Sequence, residues 1–86
     1  MARVGLSESA TDELASFSKT DQQSVSAAIS LLKQDKYRNQ NKVDFNLVEG
    51  GYKIWALFVD VVNLAFHELP NGDICVDWLS LRSKFR

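Results

Sequence analysis

The sequence predicts an α+β fold in which a helical hairpin packs on one face of an antiparallel sheet. Two patterns predict it: apolar residues recur at helical spacing in the first half, and they alternate with polar residues from Val43 onward. The composition agrees, because 45% of the 86 residues are hydrophobic and can fill one core. The predicted element order is β-α-α-β-β-β-β, in a single domain over residues 1–86.

A short strand and a first helix are predicted at the beginning. The segment RVGLS, residues 3–7, alternates as a strand does. Ser7 is suited to the N-cap of a helix, because its hydroxyl can accept a backbone N–H. Glu8 then lies in the first turn, where the helix dipole favours negative charge. The helical spacing of the apolar residues that follow predicts a helix over residues 8–18.

A second helix is predicted from Thr20. Thr20 and Gln23 have the spacing of a capping box, in which each side chain satisfies a backbone N–H of the first turn. One apolar stripe follows at positions i, i+3, i+4 and i+7: Val25, Ala28, Ile29 and Leu32. The helix is expected to end near Lys36. The polar, aperiodic segment KYRNQNK, residues 36–42, is expected to be a loop.

Four strands are predicted after this loop. The segments are rich in β-branched and aromatic residues: VDFNLV, YKIWALFV, VVNLAFHEL and ICVDWLSL. Turns are expected at Gly50-Gly51 and near Asp60. The segment PNGD is a stronger turn signal, because Pro70 fixes φ and Gly72 can adopt a positive φ. Tight turns join neighbouring strands, so these four are expected to form an antiparallel meander.

Two hairpin registers are assumed in order to assign strand residues to faces: Phe66 opposite Val76, and Phe58 opposite Val62. Side chains alternate between the faces of a sheet. The face expected under the helices then carries Ile54, Ala56, Phe58, Val62, Leu64, Phe66, Ile74, Val76 and Trp78. The uncovered face is expected to carry Lys53, Trp55, Leu57, Asn63, Ala65, His67, Cys75, Asp77 and Leu79. In these registers Lys53 lies opposite His67, and His67 opposite Cys75.

Charge and cysteine content limit the classes of function. The formal net charge is −1 and the pI about 5.7, whereas dedicated nucleic-acid binders are usually basic. A single cysteine excludes an internal disulfide, which fits a cytoplasmic protein. No signal peptide, membrane span or membrane association is expected. One His and one Cys cannot complete a four-ligand structural zinc site, so no metal or cofactor is predicted.

Three segments occur at characteristic places in this element order: LSESATDELASF after the first strand, EGGYKIWALF in the middle, and LSLRSKFR at the end. Together they resemble the RelE/ParE superfamily of bacterial toxins from type II toxin–antitoxin pairs. Family members often carry a Gly-Tyr-Arg/Lys stretch in the central strand, here Gly51-Tyr52-Lys53, and a tail like the one at residues 82–85. The resemblance covers the whole length and implies a cytoplasmic toxin held by a cognate antitoxin protein.

The resemblance implies a metal-independent endoribonuclease acting on mRNA, free or on the ribosome. The 2′-hydroxyl attacks the neighbouring phosphate, so such a site needs proton-transfer groups and fixed positive charge. The catalytic candidates are Arg82 as the phosphate clamp, His67 as the proton-transfer group, and Lys53 and Lys84 as charge stabilisers. The RNA-binding candidates are Trp55, whose ring could stack on a base, and the cations Arg86 and Arg38.

Two departures from the family pattern leave other functions open. Asn63 in VNLAF stands where cleaving members tend to have an arginine, and Phe85 where many have a tyrosine. These departures favour a ParE-like inhibitor of DNA gyrase without chemistry of its own, or a degenerate member that only binds. The candidates also have structural interpretations: a surface histidine, a packing tryptophan and a solvated tail. Asp77 is expected to orient His67, to pair with Lys53, or to keep the face polar.

Overall fold

The chain folds as three helices packed on one side of a five-stranded sheet. The computed structural model describes residues 2–82. The elements are β1 (Val4–Leu6), α1 (Glu8–Ser16), α2 (Lys19–Leu32), α3 (Asp35–Asn41), β2 (Val43–Glu49), β3 (Tyr52–Val59), β4 (Val62–Glu68) and β5 (Ile74–Leu81). Strands β2 to β5 form the predicted antiparallel meander, and β1 joins β5 in parallel, so the sheet order is β1-β5-β4-β3-β2. The α+β class is confirmed, but the order contains a third helix.

Serine caps set the starts of α1 and α2. Ser7 begins α1 as predicted, its Oγ accepting the N–H of the residue three places later at 3.1 Å. The same hydroxyl donates to the Asp77 carbonyl at 2.9 Å, which fastens the helix start to β5. The predicted Thr20 cap of α2 is wrong. Ser18 caps the helix at 3.2 Å, because α1 already ends at Ser16 and the link between the helices is short.

The segment predicted as a loop contains the short helix α3. Its anchor is Arg38, which is only 6% exposed. The guanidinium donates to the Leu32 carbonyl and to the Asp35 carboxylate, both at 2.9 Å, and to the Glu68 carboxylate at 3.2 Å. These bonds join the end of α2, helix α3 and strand β4. The loop prediction is wrong because a polar helix held by one buried arginine has no apolar period to detect.

The register of β3 on β4 differs by one residue from the assumed one. Val59 pairs with Val62, so two residues close the hairpin, and Asp60 adopts φ 55° in its turn. The assumed pairing of Phe58 with Val62 is therefore wrong. A two-residue turn matches the twist of the flanking strands, and it places Leu57 among the buried residues.

This shift exchanges the two faces of β3, because side chains alternate along a strand. The helix face, which packs on α1 and α2, carries Leu57, Val62, Leu64, Phe66, Ile74, Val76 and Leu79, with Trp55 and Val59 partly buried against them. The open face is the opposite side of the sheet and carries Ile54, Ala56, Phe58, Asn63, Ala65, His67, Cys75, Asp77, Trp78 and Ser80. The predicted faces of Ile54, Ala56 and Phe58, and of Lys53, Trp55 and Leu57, are thus reversed.

A β-bulge in β5 reverses two more residues. Phe66 pairs with Val76 as assumed, but the register then shifts and Asp77 is the extra residue. Trp78 therefore lies on the open face, and Leu79 is buried under the helices. The predicted faces of Trp78 and Leu79 are wrong because nothing in the segment ICVDWLSL signals an inserted residue.

Candidate functional site

Four side chains meet on the open face near one end of β4 and β5. The His67 Nδ1 lies 2.9 Å from Asp77 Oδ2 and 3.1 Å from Oδ1, where its N–H donates to the carboxylate. The Tyr52 ring lies against the imidazole, with ring centroids 4.5 Å apart. Cys75 pairs with His67 across the strands, as predicted. These four residues, His67, Cys75, Asp77 and Tyr52, form the histidine cluster.

Strand pairing assembles most of this cluster. Asp77 is two residues beyond Cys75, so it shares the face of Cys75 and lies diagonally from His67. Tyr52 begins β3 directly after a turn in which Gly50 and Gly51 adopt φ values of 61° and 84°. The side chains of His67 and Asp77 are 13% and 22% exposed. An imidazole oriented by a carboxylate in this way can exchange a proton through its other nitrogen.

The Cys75 thiol is held in its neutral form. Burial raises the pKa of Cys75, because a thiolate loses hydration there, and the negative charge of Asp77 raises it further. In the metal-free protein, Cys75 is therefore a weaker nucleophile at neutral pH than an ordinary exposed cysteine.

Alkylation of Cys75 should show this shift. In chelator-treated protein, the pH midpoint of the iodoacetamide reaction rate should lie above that of a free cysteine, since only the thiolate reacts. Asp77→Asn should lower the midpoint but keep it above the free value, because burial remains. Asp73→Asn, on the turn before β5, is the control and should leave it unchanged. A wild-type midpoint at or below that of free cysteine would contradict this assignment.

An apolar groove runs along the open face beside the cluster. Its volume is about 250 Å³, and its lining is largely aromatic and small apolar: Phe45, Ala56, Phe58, Asn63, Leu64, Ala65, Trp78 and Ser80. An irregularity in β2, where Asn46 adopts φ 57°, directs Phe45 over the sheet. Its ring centroid lies 6.2 Å from that of Trp78. These residues form the aromatic groove of the open face.

Lys53 and Trp55 do not join the histidine cluster. Lys53 Nζ lies 2.8 Å from the Asp44 carboxylate, and this hydrogen bond is the main reason that the Asp44 pKa lies below its usual value. Lys53 and Lys42 lie over the Trp55 ring, at 4.8 Å and 4.3 Å from its centroid. The predicted position of Lys53 opposite His67 is wrong, because the β3 register is shifted by one residue.

Arg38 is turned into the protein rather than toward solvent. Ion pairs with Asp35 and Glu68 occupy its guanidinium, and Lys42 also lies 3.2 Å from the Glu68 carboxylate. The loop predicted around Arg38 would have left this side chain exposed, whereas it is buried. Its role in RNA binding stays a prediction, against which this burial argues.

Arg82 is exposed at the far end of β5. Its backbone N–H donates to the Val61 carbonyl and extends the pairing of β4 with β5. Arg82 follows Cys75 by seven residues, which is roughly 20 Å along a strand at about 3.3 Å per residue. It is therefore not beside His67. The other two predicted cations of the tail, Lys84 and Arg86, lie outside the described residues.

Two aromatic residues of the open face, Tyr52 and Phe45, were assigned to neither face by the sequence-based prediction. Tyr52 could have been placed there by alternation, had the reversal near Asp60 been taken as a two-residue turn. Phe45 depends on the irregularity in β2, for which the signal is Asp44 two residues before Asn46. The Asp44 carboxylate accepts the Asn46 N–H at 2.8 Å, a local bond typical of turns rather than of strands.

The fold and the cluster define an α+β protein with a mixed five-stranded sheet, helices on one face and a polar cluster on the other. Comparison of the chain with models of known protein families, with curated proteins and with solved structures finds no significant match in any of the three. None of the helices in residues 2–82 is long and apolar enough to cross a membrane.

Proposed function

We propose that this chain is a RelE/ParE-like protein of the toxin–antitoxin type that acts by binding a protein partner rather than by cutting RNA. The antiparallel meander with helices on one face supports the class. The observation that carries the binding function is the separation of the candidate cations from His67. Lys53 pairs with Asp44, Arg38 is buried, and Arg82 lies roughly 20 Å away along β5.

The charge of the histidine cluster also argues against phosphate binding. RNA cleavage requires fixed positive donors around the phosphate, where negative charge grows in the transition state. The ionised group beside the imidazole is instead the carboxylate of Asp77, at 2.9 Å. Two negative charges at close range repel, most strongly where water is partly excluded. Binding of an apolar partner meets no such obstacle in the aromatic groove.

The exposed apolar residues favour an extended segment of a partner protein. The large hydrophobic side chains exposed in the described chain all belong to β2 and β3: Val43, Phe45, Val48, Tyr52 and Phe58. Strand β2 is an edge of the sheet, so one side of its backbone can pair with an added strand. An antitoxin segment with alternating apolar side chains fits this edge, and its side chains can enter the aromatic groove. In a ParE-like member the inhibited target is DNA gyrase.

An endoribonuclease is the second candidate, and the His67–Asp77 pair favours it. The carboxylate fixes one imidazole nitrogen, which leaves the other to transfer a proton to or from mRNA. In this alternative, cleavage depends on His67 and draws its positive charge from elsewhere, from the predicted tail cations or from the ribosome.

The proposal predicts that purified protein leaves mRNA intact, with and without ribosomes, under conditions in which a control ribonuclease degrades it. A parallel gyrase supercoiling assay identifies gyrase as the target if supercoiling is inhibited. Such inhibition should be retained in His67→Gln, because binding to gyrase needs no proton transfer by the imidazole. If the protein neither cleaves RNA nor inhibits gyrase, the remaining alternative is a degenerate member that only binds.

The opposite outcome is equally specific. RNA cleavage that disappears in His67→Gln would replace the binding proposal with the endoribonuclease. The occupant of the β2 edge is tested by sedimentation of the chain alone. A stable dimer that Val48→Glu converts to monomers would assign this edge to a second copy rather than to an antitoxin.

A further inference from the structure

We propose that His67, Cys75 and Asp77 form a three-ligand site for a divalent transition-metal ion, with Zn²⁺ the best fit. The inference does not rest on the binding function proposed above. It rests on one observation: a nitrogen, a sulfur and a carboxylate oxygen from these residues all lie within 4.8 Å of one another.

The spacing of these atoms is close to what a tetrahedral ion needs. Bonds of about 2.0 Å to nitrogen and oxygen and 2.3 Å to sulfur place neighbouring ligand atoms roughly 3.3–3.5 Å apart. His67 Nδ1 and Asp77 Oδ2 are 2.9 Å apart, so these two atoms must separate slightly, and the Cys75 sulfur lies within 4.8 Å of the other ligand atoms. Side-chain rotations of this size leave the strand pairing unchanged. The ion takes the place of the proton between Nδ1 and the carboxylate.

The donor set selects the kind of metal. Imidazole and thiolate ligands suit Zn²⁺ and its spectroscopic substitute Co²⁺, whereas Mg²⁺ and Ca²⁺ prefer oxygen alone. Three protein ligands leave a fourth position for water, which is the arrangement of zinc sites that act on substrates rather than of purely structural ones. The count of one His and one Cys predicted no metal because it considered four-ligand structural sites and left out the carboxylate.

The surroundings give the site a rigid frame and an opening. His67 and Cys75 occupy directly paired positions in β4 and β5, so their backbones are fixed by the sheet. The Tyr52 ring packs against the imidazole and restricts its rotation. The His67 and Asp77 side chains retain some exposure on the open face, which gives an ion and its fourth ligand access from solvent.

The test is a titration of chelator-treated, reduced protein with Co²⁺ and then with Zn²⁺. We expect a thiolate-to-cobalt charge-transfer band that saturates at one ion per chain and is abolished by competing Zn²⁺. Zn²⁺ should also raise the unfolding temperature, since a ligand that binds the native state stabilises it. Cys75→Ser should remove the charge-transfer band. His67→Gln and Asp77→Asn should each weaken Zn²⁺ binding at least about tenfold. Changes to residues that only hydrogen-bond to a metal ligand already weaken metal binding by about tenfold or more.

Asp73→Asn serves as the control, because it alters a carboxylate of the same hairpin that is outside the site, and it should bind Zn²⁺ like the wild type. Circular dichroism of each variant checks that the fold is intact. Absence of the charge-transfer band in the folded wild type would overturn the proposal. So would Zn²⁺ binding that both His67→Gln and Asp77→Asn leave unchanged, since the cysteine would then bind the ion without them.

Discussion

Phe66→Ala should lower the free energy of unfolding by about 3–5 kcal/mol, because it removes a fully buried ring from the helix face. The native stability of a small domain is of the order of 5–15 kcal/mol, so this change removes a large part of it. Urea denaturation followed by circular dichroism measures the loss. The midpoint should fall while the slope stays that of the wild type.

Phe58→Ala is the matched control for this prediction. It removes an identical phenyl ring from the open face, where Phe58 is 51% exposed, and should lower the free energy of unfolding by about 1 kcal/mol or less. The sequence-based register placed both rings under the helices, which predicts similar losses. Equal destabilisation by the two substitutions would therefore contradict the two-residue turn and the faces derived from it.

Arg38→Ala should destabilise the protein by about 2–4 kcal/mol, because it leaves the buried Leu32 carbonyl without its donor and takes a partner from Glu68. The loss stays moderate because Glu68 is partly exposed and keeps Lys42. Helix α3 should lose its tie to β4. Urea denaturation gives the magnitude, and amide hydrogen exchange over residues 35–41 locates the effect.

Asp35→Ala is the control for Arg38. Its carboxylate also pairs with the guanidinium, but it is 62% exposed, so its loss should cost about 1 kcal/mol or less. Arg38→Lys should recover little, since an ammonium cannot reach three acceptors as the planar guanidinium does. Wild-type stability and unchanged exchange in Arg38→Ala would show that the ion pairs do not hold α3.

Most of the fold could be predicted because periodicity reports which side of an element is buried. The alternation that defines β3 and β5 gave their bounds, and Ser7 gave the start of α1. The features that periodicity did not reveal include the helix α3, the two-residue turn at Asp60 and the inserted residue at Asp77. Each of these features depends either on contacts between segments that are distant in the sequence or on a choice between similar turns. Neither of these causes alters the local pattern of apolar and polar residues.

The candidate site was predictable in part for the same reason. The pairing of His67 with Cys75 follows from the β4–β5 hairpin, whose turn signal was strong, and the contact of Asp77 with His67 was one of three predicted alternatives. Lys53 was assigned to the wrong face because an error of one residue in the strand register moves a side chain to the opposite face of the sheet. The exposed position of Arg38 was inferred from its polar neighbours. Burial of a cation depends on the acids that it meets, and one of these, Glu68, lies 30 residues away.

The position of β5 between β4 and β1 has a consequence for how the protein is made. The Ser7 hydroxyl bonds to a carbonyl 70 residues later, and among the described strands β1 pairs with β5 alone. Contacts between such distant segments slow folding, because a long loop must close first. Strands β2, β3 and β4 can pair as soon as each leaves the ribosome. A nascent chain therefore carries β1 unpaired until β5 has been translated.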